Sequence, residues 1–320
     1  MTRTLTHRKY LRRRDAEMSE KSTRLASKKA KDYTFVALML LIPVIHFIIF
    51  WGVVNFNSIL LAFQRLDRVT GEKYLTLKNF DALVELFKTN ELKDALINTL
   101  LTAGFQIIFL LPWGFFLTYF LYKKIPLRGL WRTFLFLPSI LPAIFLTGIF
   151  NNAITQYGPL GKIWEALFGN SIPDFFIDER YGKWGVLLYF FWTNFGGQFI
   201  LFTGAMTRIP NEIIEAAQID GAGMRIELFK IVLPLCWPTF SMLLILNVAS
   251  VFTSTGPILL LTKGAADTKT ISYWIFEQVN QPAPALYIPS ALGVACTVIL
   301  FPIITLTRWG LGKVYADVEF

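Results

Sequence analysis

Six stretches of the chain are almost free of charge and long enough to cross a bilayer, roughly residues 33–54, 96–121, 133–152, 184–206, 234–257 and 286–308. The acidic and basic side chains fall between them; the one exception is Arg308, at the end of the sixth. A helix rising 1.5 Å per residue needs about 20 apolar residues to cross ~30 Å of hydrocarbon. Each stretch therefore predicts a membrane-spanning helix, and together they predict an all-α membrane protein. Trp51, Tyr119, Tyr122, Trp131, Tyr189, Tyr287 and Trp309 gather near the stretch ends, as in an interfacial aromatic belt. Prolines 43, 112, 138, 142, 238, 289 and 302 lie within the spans, where each removes a backbone donor and can kink its helix. The first stretch has no A-x-A exit, so it is expected to be a retained span and not a cleaved leader.

Composition agrees with this pattern. The chain of 320 residues is 54% hydrophobic and 17% charged, against roughly a quarter charged for a soluble domain. Its net charge of +9 is concentrated at the amino terminus, where residues 1–32 hold 11 Lys/Arg and four Asp/Glu. With that tail in the cytoplasm, the inner segments and Arg308 hold 20 Lys/Arg. The outer loops 55–95, 153–183 and 258–285 hold 11 in more residues. The asymmetry predicts a multi-pass protein of the cell membrane with both termini inside. The expected organisation is a cytoplasmic tail (1–32), a six-span domain (33–308) and a short cytoplasmic tail (309–320). No basic patch interleaved with aromatics points to nucleic acid. Cys236 and Cys296 sit at or in apolar spans without CxxC or Cys/His spacing, and read as small buried hydrophobes. There is no HExxH, GxSxG or P-loop pattern, so no catalytic site or metal site is expected, and the chain is not expected to be an enzyme.

Two outer loops carry helical patterns. Leu77, Phe80, Leu83, Val84, Leu86 and Phe87 have amphipathic spacing, and "YGPLGKIWEALFG" predicts a short helix after the Gly158-Pro159 turn. The inner loop 208–234, "RIPNEIIEAAQIDGAGMRIELFKIVLP", carries the most information. Pro210 precedes a helix start that Asn211 can cap, with Glu212 and Glu215 near its positive end. Gly221 and Gly223 provide the exit turn, and Gly221 is expected at a positive φ that a bulky residue would resist. A helix then restarts, with Ile226, Phe229 and Leu233 spaced to pack on the bundle.

These residues resemble the EAA loop of binding-protein-dependent ABC importer permeases. The match runs through Glu215-Ala216-Ala217, Asp220-Gly221-Ala222, Ile231 and Leu233-Pro234 without a spacing error. "LTLKNFDAL", "LRGLWRTFLFLPSILPAIFLTGIF" and "ILLLTKGA" are similar to the carbohydrate group of that family, which holds the maltose and glycerol-3-phosphate permeases. The resemblance implies a type I importer permease fold of six helices. It implies a second permease subunit and an extracytoplasmic solute-binding protein. A cytoplasmic ATPase dimer, which would bind the ATP and Mg, would grip the helix Glu215–Ala222. It also implies sugar contacts at Phe190, Thr193, Asn194 and Gly197 on the fourth span and Asn247, Ser250, Val251 and Ser254 on the fifth. Gln198 shares the face of Asn194 and Gly197. By residue type alone these amides and hydroxyls serve equally well as helix–helix contacts, and Phe190 and Trp192 can face a sugar or lipid. An importer of another solute class and an ion-coupled transporter are the alternatives. The latter has one intramembrane titratable group to draw on, His46.

Overall fold

A computed structural model describes residues 31–67, 70–123, 125–253 and 255–314. Most of the basic tail, the last six residues and Ser254 lie outside the described residues. The chain divides into two compact units, residues 1–61 and 62–320. The first unit is described by helix α1 (Lys31–Ala62), whose ladder widens to a π-turn over Phe47–Val53. Within α1, Asn55 and Ser58 donate to the carbonyls of Trp51 and Val54, so its polar side chains cost little in lipid. The His46 ring packs on Phe50, with centroids 4.6 Å apart.

The second unit opens with a small antiparallel hairpin, β1 (Gln64–Leu66) and β2 (Lys73–Leu75), followed by α2 (Lys78–Lys88). Only part of the expected stripe on α2 is inward. Leu83 is buried and Phe80, Leu86 and Phe87 are half-buried, whereas Leu77 and Val84 are exposed. The polar Asn79 is fully buried and donates to the carbonyls of Ala62 and Gln64, which pins α2 to the hairpin.

Helix α3 (Glu91–Tyr122) is the second span. The third pairs α4 (Arg128–Ile140) with the run Ala143–Phe168, bent from it by 114°, so the stretch 133–152 is not one straight rod; α5 (Ala143–Ile154) is the first part of that run. The surface helix α6 (Pro159–Phe168) forms where "YGPLGKIWEALFG" predicts it. Helix α7 (Gly182–Met206) is the fourth span, interrupted at Asn194. After the loop helix α8 (Asn211–Ile219), the fifth span is α9 (Met224–Leu235) and α10 (Trp237–Ala249), bent by 71° at Cys236. Short helices α11 (Gly256–Leu261) and α12 (Ile271–Val279) lead to α13 (Tyr287–Val314), the sixth span. Among the described residues, four helices are long and apolar enough to cross a membrane, and the two bent pairs, each taken as one span, bring the number to six.

Pro112, one of the prolines expected in the spans, and Pro234 of the loop motif leave a common mark. The turns before Pro112 and Pro234 are π-turns, Phe105–Leu110 and Glu227–Val232. A proline ring collides with the carbonyl four residues back, and widening the turn relieves the collision without breaking the helix.

The unit has three apolar cores. One joins α3, α5 and α7 through Leu110, Phe150, Val186 and Phe190. A second joins α3, α7, α8, α9 and α10 through Phe115, Phe202, Ile214, Leu228, Val232 and Leu243. The third surrounds Trp274 and Leu292. Cys236 and Cys296 are free and buried, as expected of small hydrophobes. Tyr119 does not join an aromatic belt: its ring is fully buried in the second core.

Candidate functional site

The loop between spans four and five folds as a short helix with a defined stop. Pro210, not Asn211, occupies the cap position, and Asn211 is the first helical residue. A proline with extended ψ just ahead of a helix cannot itself continue it, so the start is set by backbone rather than by a side-chain cap. At the other end, Gly221 has φ +79°. The Gly221 N–H donates to the Gln218 carbonyl at 3.1 Å and the Ala222 N–H to the Ala217 carbonyl at 2.9 Å. These two bonds are the paired closure of a Schellman motif, which needs a left-handed residue at this position. A Cβ at Gly221 would meet nothing within 4 Å. A larger residue is therefore opposed by φ alone, as the sequence predicts, and by no collision at the Cβ position.

Helix α8 presents one face outward: Glu212, Glu215, Ala216 and Ile219 are exposed, with Ile219 at 86%. Its opposite side is anchored by Ile214 in the second core. Ala217 and Ala222 are half-buried, and Asp220 and Gly221 are exposed at the turn. The restarted helix α9 is rotated relative to expectation. Ile226 and Phe229 are about half exposed, and the inward residues are Glu227, Leu228 and Val232. The π-turn at Glu227–Val232 shifts the phase of the face, so a strict 3.6-residue count misassigns it.

Between α3, α7 and the end of α10 lies a small cavity lined by Thr99, Thr102, Gln106, Phe190, Asn247 and Ser250, among others. Its volume is about 10 Å³, room for one water at most. No charged side chain lines it. Of the predicted contacts, Phe190, Asn247, Ser250 and Val251 meet here. Thr193, Asn194, Gly197 and Gln198 lie further along α7 and do not line it. Thr193 and Asn194 turn back to the carbonyls of Tyr189 and Phe190. Gln198 packs against Gly114 of α3, where a Cβ would meet its Oε1. Trp192 lines a separate, apolar groove with Phe150 and Phe195. Helix α10 ends at Ala249, so the helical face expected to run from Asn247 through Ser250 is not continued, and Ser254 lies outside the described residues. Ser250 and Thr253 hydroxyls donate to the carbonyls of Asn247 and Ser250, competing with the helical ladder there.

Reading the sequence missed the contribution of α3. Thr99, Thr102 and Gln106 recur at helical spacing on one face, a signal present in the chain but hidden inside an apolar run. Most polar lining groups already have backbone partners. Thr99 donates to the Ala95 carbonyl and accepts from the Ile271 N–H, Thr102 donates to the Asn98 carbonyl, and Asn247 to that of Leu243. Gln106 has no such intrahelical bond among the described residues, and it projects from the π-turn ahead of Pro112.

The family model of the binding-protein-dependent transport system inner membrane component matches residues 110–315, which include the whole of α8 and its Schellman turn. The chain belongs to this family. The permease is similar to the probable ABC transporter permease protein YesP of Bacillus subtilis (strain 168). The two are 26% identical over 273 residues, 82% of this chain and 84% of that protein. It is also similar to the maltose/maltodextrin transport system permease protein MalF of Vibrio vulnificus (strain YJ016), 35% identical over 138 residues. That match takes in 43% of this chain and 26% of MalF. Among solved structures, a bacterial ABC transporter involved in the import of the acidic polysaccharide alginate superposes with a TM-score of 0.78. It is 21% identical and covers 91% of this chain and 99% of that one. The bacterial alginate ABC transporter in complex with an alginate pentasaccharide-bound periplasmic protein gives the same TM-score at 22% identity. At such identities the likeness establishes the fold, that of a type I ABC importer permease.

Proposed function

We propose that this permease is one half of the membrane pore of an ABC importer and that it carries a neutral saccharide released to it by an extracytoplasmic binding protein. A second, similar permease completes the pore. ATP and Mg are bound and used by a separate ATPase pair on the cytoplasmic side, where both termini of this chain lie. The observation that carries the neutral-solute reading is the cavity wall, with its hydroxyls, its amides, one aromatic ring and no charge. A sugar offers hydroxyls that exchange hydrogen bonds with such groups, and Phe190 supplies an apolar face for a ring. An acidic saccharide would instead call for a cation to offset desolvation of its carboxylates.

Helix α8 and its turn, with Glu215, Ala216 and Ala217 followed by Asp220, Gly221 and Ala222, are the handle for the ATPase. Ile219 adds exposed apolar area for docking. A cavity of about 10 Å³ is far below the ~300 Å³ or more of a ligand pocket. Uptake therefore requires the spans to repack around the same residues, and ATP-driven movement of α8 supplies the bias between the two packings.

The test is uptake by the complete transporter in proteoliposomes loaded with ATP. Neutral oligosaccharides are expected to enter in an ATP-dependent way, unaffected by collapse of ion gradients, and to outcompete alginate oligosaccharides. Preference for the acidic sugar would overturn the neutral reading. Transport that survives ATP depletion and stops with the ion gradient would overturn the importer reading.

A further inference from the structure

The most buried charge among the described residues outside the cavity is Glu227, 2% exposed, in the first turn of the helix that follows the coupling turn. It sits three residues after the start of α9 and belongs to none of the motif positions. Its carboxylate accepts from the Tyr119 hydroxyl at 3.0 Å and from Lys123 Nζ at 2.5 Å. The ammonium also lies over the Tyr119 ring, 5.9 Å from its centroid. Both partners stand at the end of α3, Tyr119 in its last turn and Lys123 immediately beyond it. Helix α3 is continuous from there to Glu91, so the same rod carries Thr99, Thr102 and Gln106 to the cavity wall.

A buried carboxylate with its partners removed is strongly unfavourable, whereas an apolar residue at this site could fill the same core. The pairing is therefore directional and hard to break. Any displacement of α8 that reaches α9 pulls on Glu227, and through Glu227 on the end of α3. Apolar packing in the second core allows sliding, but a charge-assisted bond of this kind does not.

We infer that Glu227, Lys123 and Tyr119 form a positioning link that delivers movement of the α8–α9 region to span two, and thereby to the cavity wall. The inference rests on the importer reading above.

The experiment measures uptake and ATP hydrolysis together in the complete transporter, as solute carried per ATP. The variants are Glu227→Gln, Glu227→Lys, Tyr119→Phe and the reversed pair Glu227→Lys with Lys123→Glu, with the amount of assembled complex recorded for each. Glu227→Gln is expected to lower solute carried per ATP by about five- to tenfold, a typical coupling magnitude. Tyr119→Phe should give a smaller fall with assembly unchanged, and the reversed pair should recover much of the loss. A ratio equal to wild type in Glu227→Gln overturns the link. So does a reversed pair no better than Glu227→Lys alone. Should Glu227→Gln fail to assemble, Tyr119→Phe and the reversed pair decide: an unchanged ratio in Tyr119→Phe, or no recovery in the pair, counts against it. A wild-type transporter that moves no saccharide with ATP sinks the importer reading itself, an outcome distinct from variants that match a coupled wild type.

Discussion

Single residues shape both of the proposed sites. At Gly221 the left-handed φ is demanded by a turn with two backbone bonds, and no neighbour crowds the position. Placing a side chain there costs about 1–2 kcal/mol through backbone strain alone. Gly221→Leu is expected to leave the permease in the membrane at normal levels while uptake falls. Membrane-fraction blotting beside an uptake assay checks both. At the cavity, Gln106 has unspent hydrogen-bonding capacity while Thr102 is tied to the Asn98 carbonyl. Loss of a partner for a bound polar group costs about 1–3 kcal/mol. Gln106→Ala is therefore expected to raise the half-saturating solute concentration at least several-fold, and Thr102→Val to do less. Equal effects would show that the π-turn gives Gln106 no special place.

Elements are held by a few buried polar groups where apolar packing runs out. The loop between α11 and α12 has three non-glycine residues at positive φ: Lys263, Ala266 and Asp267. Such backbone persists only where its surroundings over-determine it. Here Asn98 donates to the carbonyls of Asp267 and Lys269 at 2.9 and 3.0 Å, and Lys183 pairs with Asp267 at 2.7 Å. The Thr262 and Thr268 hydroxyls meet at 2.6 Å, and Gly182 lets α7 approach the Ala266 carbonyl. Asn98→Ala is expected to cost about 1–3 kcal/mol, visible as a lower melting temperature of the purified permease. In α9 the phase of the helix decides the outcome. Leu228→Ala removes a core side chain and should cost about 2–5 kcal/mol. Ile226→Ala, at a half-exposed position, should lie within about 0.5 kcal/mol of wild type. The opposite ranking would mean that the motif's expected face, not the observed one, packs on the bundle.

At the scale of the molecule, the proposed solute cavity is too small for a sugar, and the proposed ATPase-facing side of α8 is exposed. Transport by the proposed route therefore calls for a second packing of the spans. Continuous helices such as α3 carry displacement along their length, while bent pairs such as α4–α5 and α9–α10 have places at which to change angle. Cysteine variants at Gln106 and Asn247 are accordingly expected to label faster in a transporter state that admits solute than in one with the packing of the spans described here. Identical labelling in all states would argue for a static channel.

Much of this was legible in the chain. Six apolar runs separated by charges could be nothing but membrane helices, because lipid tolerates no unpaired backbone over that length. The loop motif could be read with its turn because φ at Gly221 is a local property of a few consecutive residues. What the chain did not disclose depends on distance in space. Proline-induced π-turns moved the inward face of α9 from Ile226 to Leu228, and hydroxyls bonding back to the backbone ended α10 before Ser250. Tyr119 read as an interface residue until Glu227, more than a hundred positions away, proved to be its partner and that of Lys123. Local pattern determines which segments become helices. Which side chains those helices bring together is decided only when the bundle packs, because burial and pairing of polar groups are properties of the assembled interior and not of any stretch of sequence.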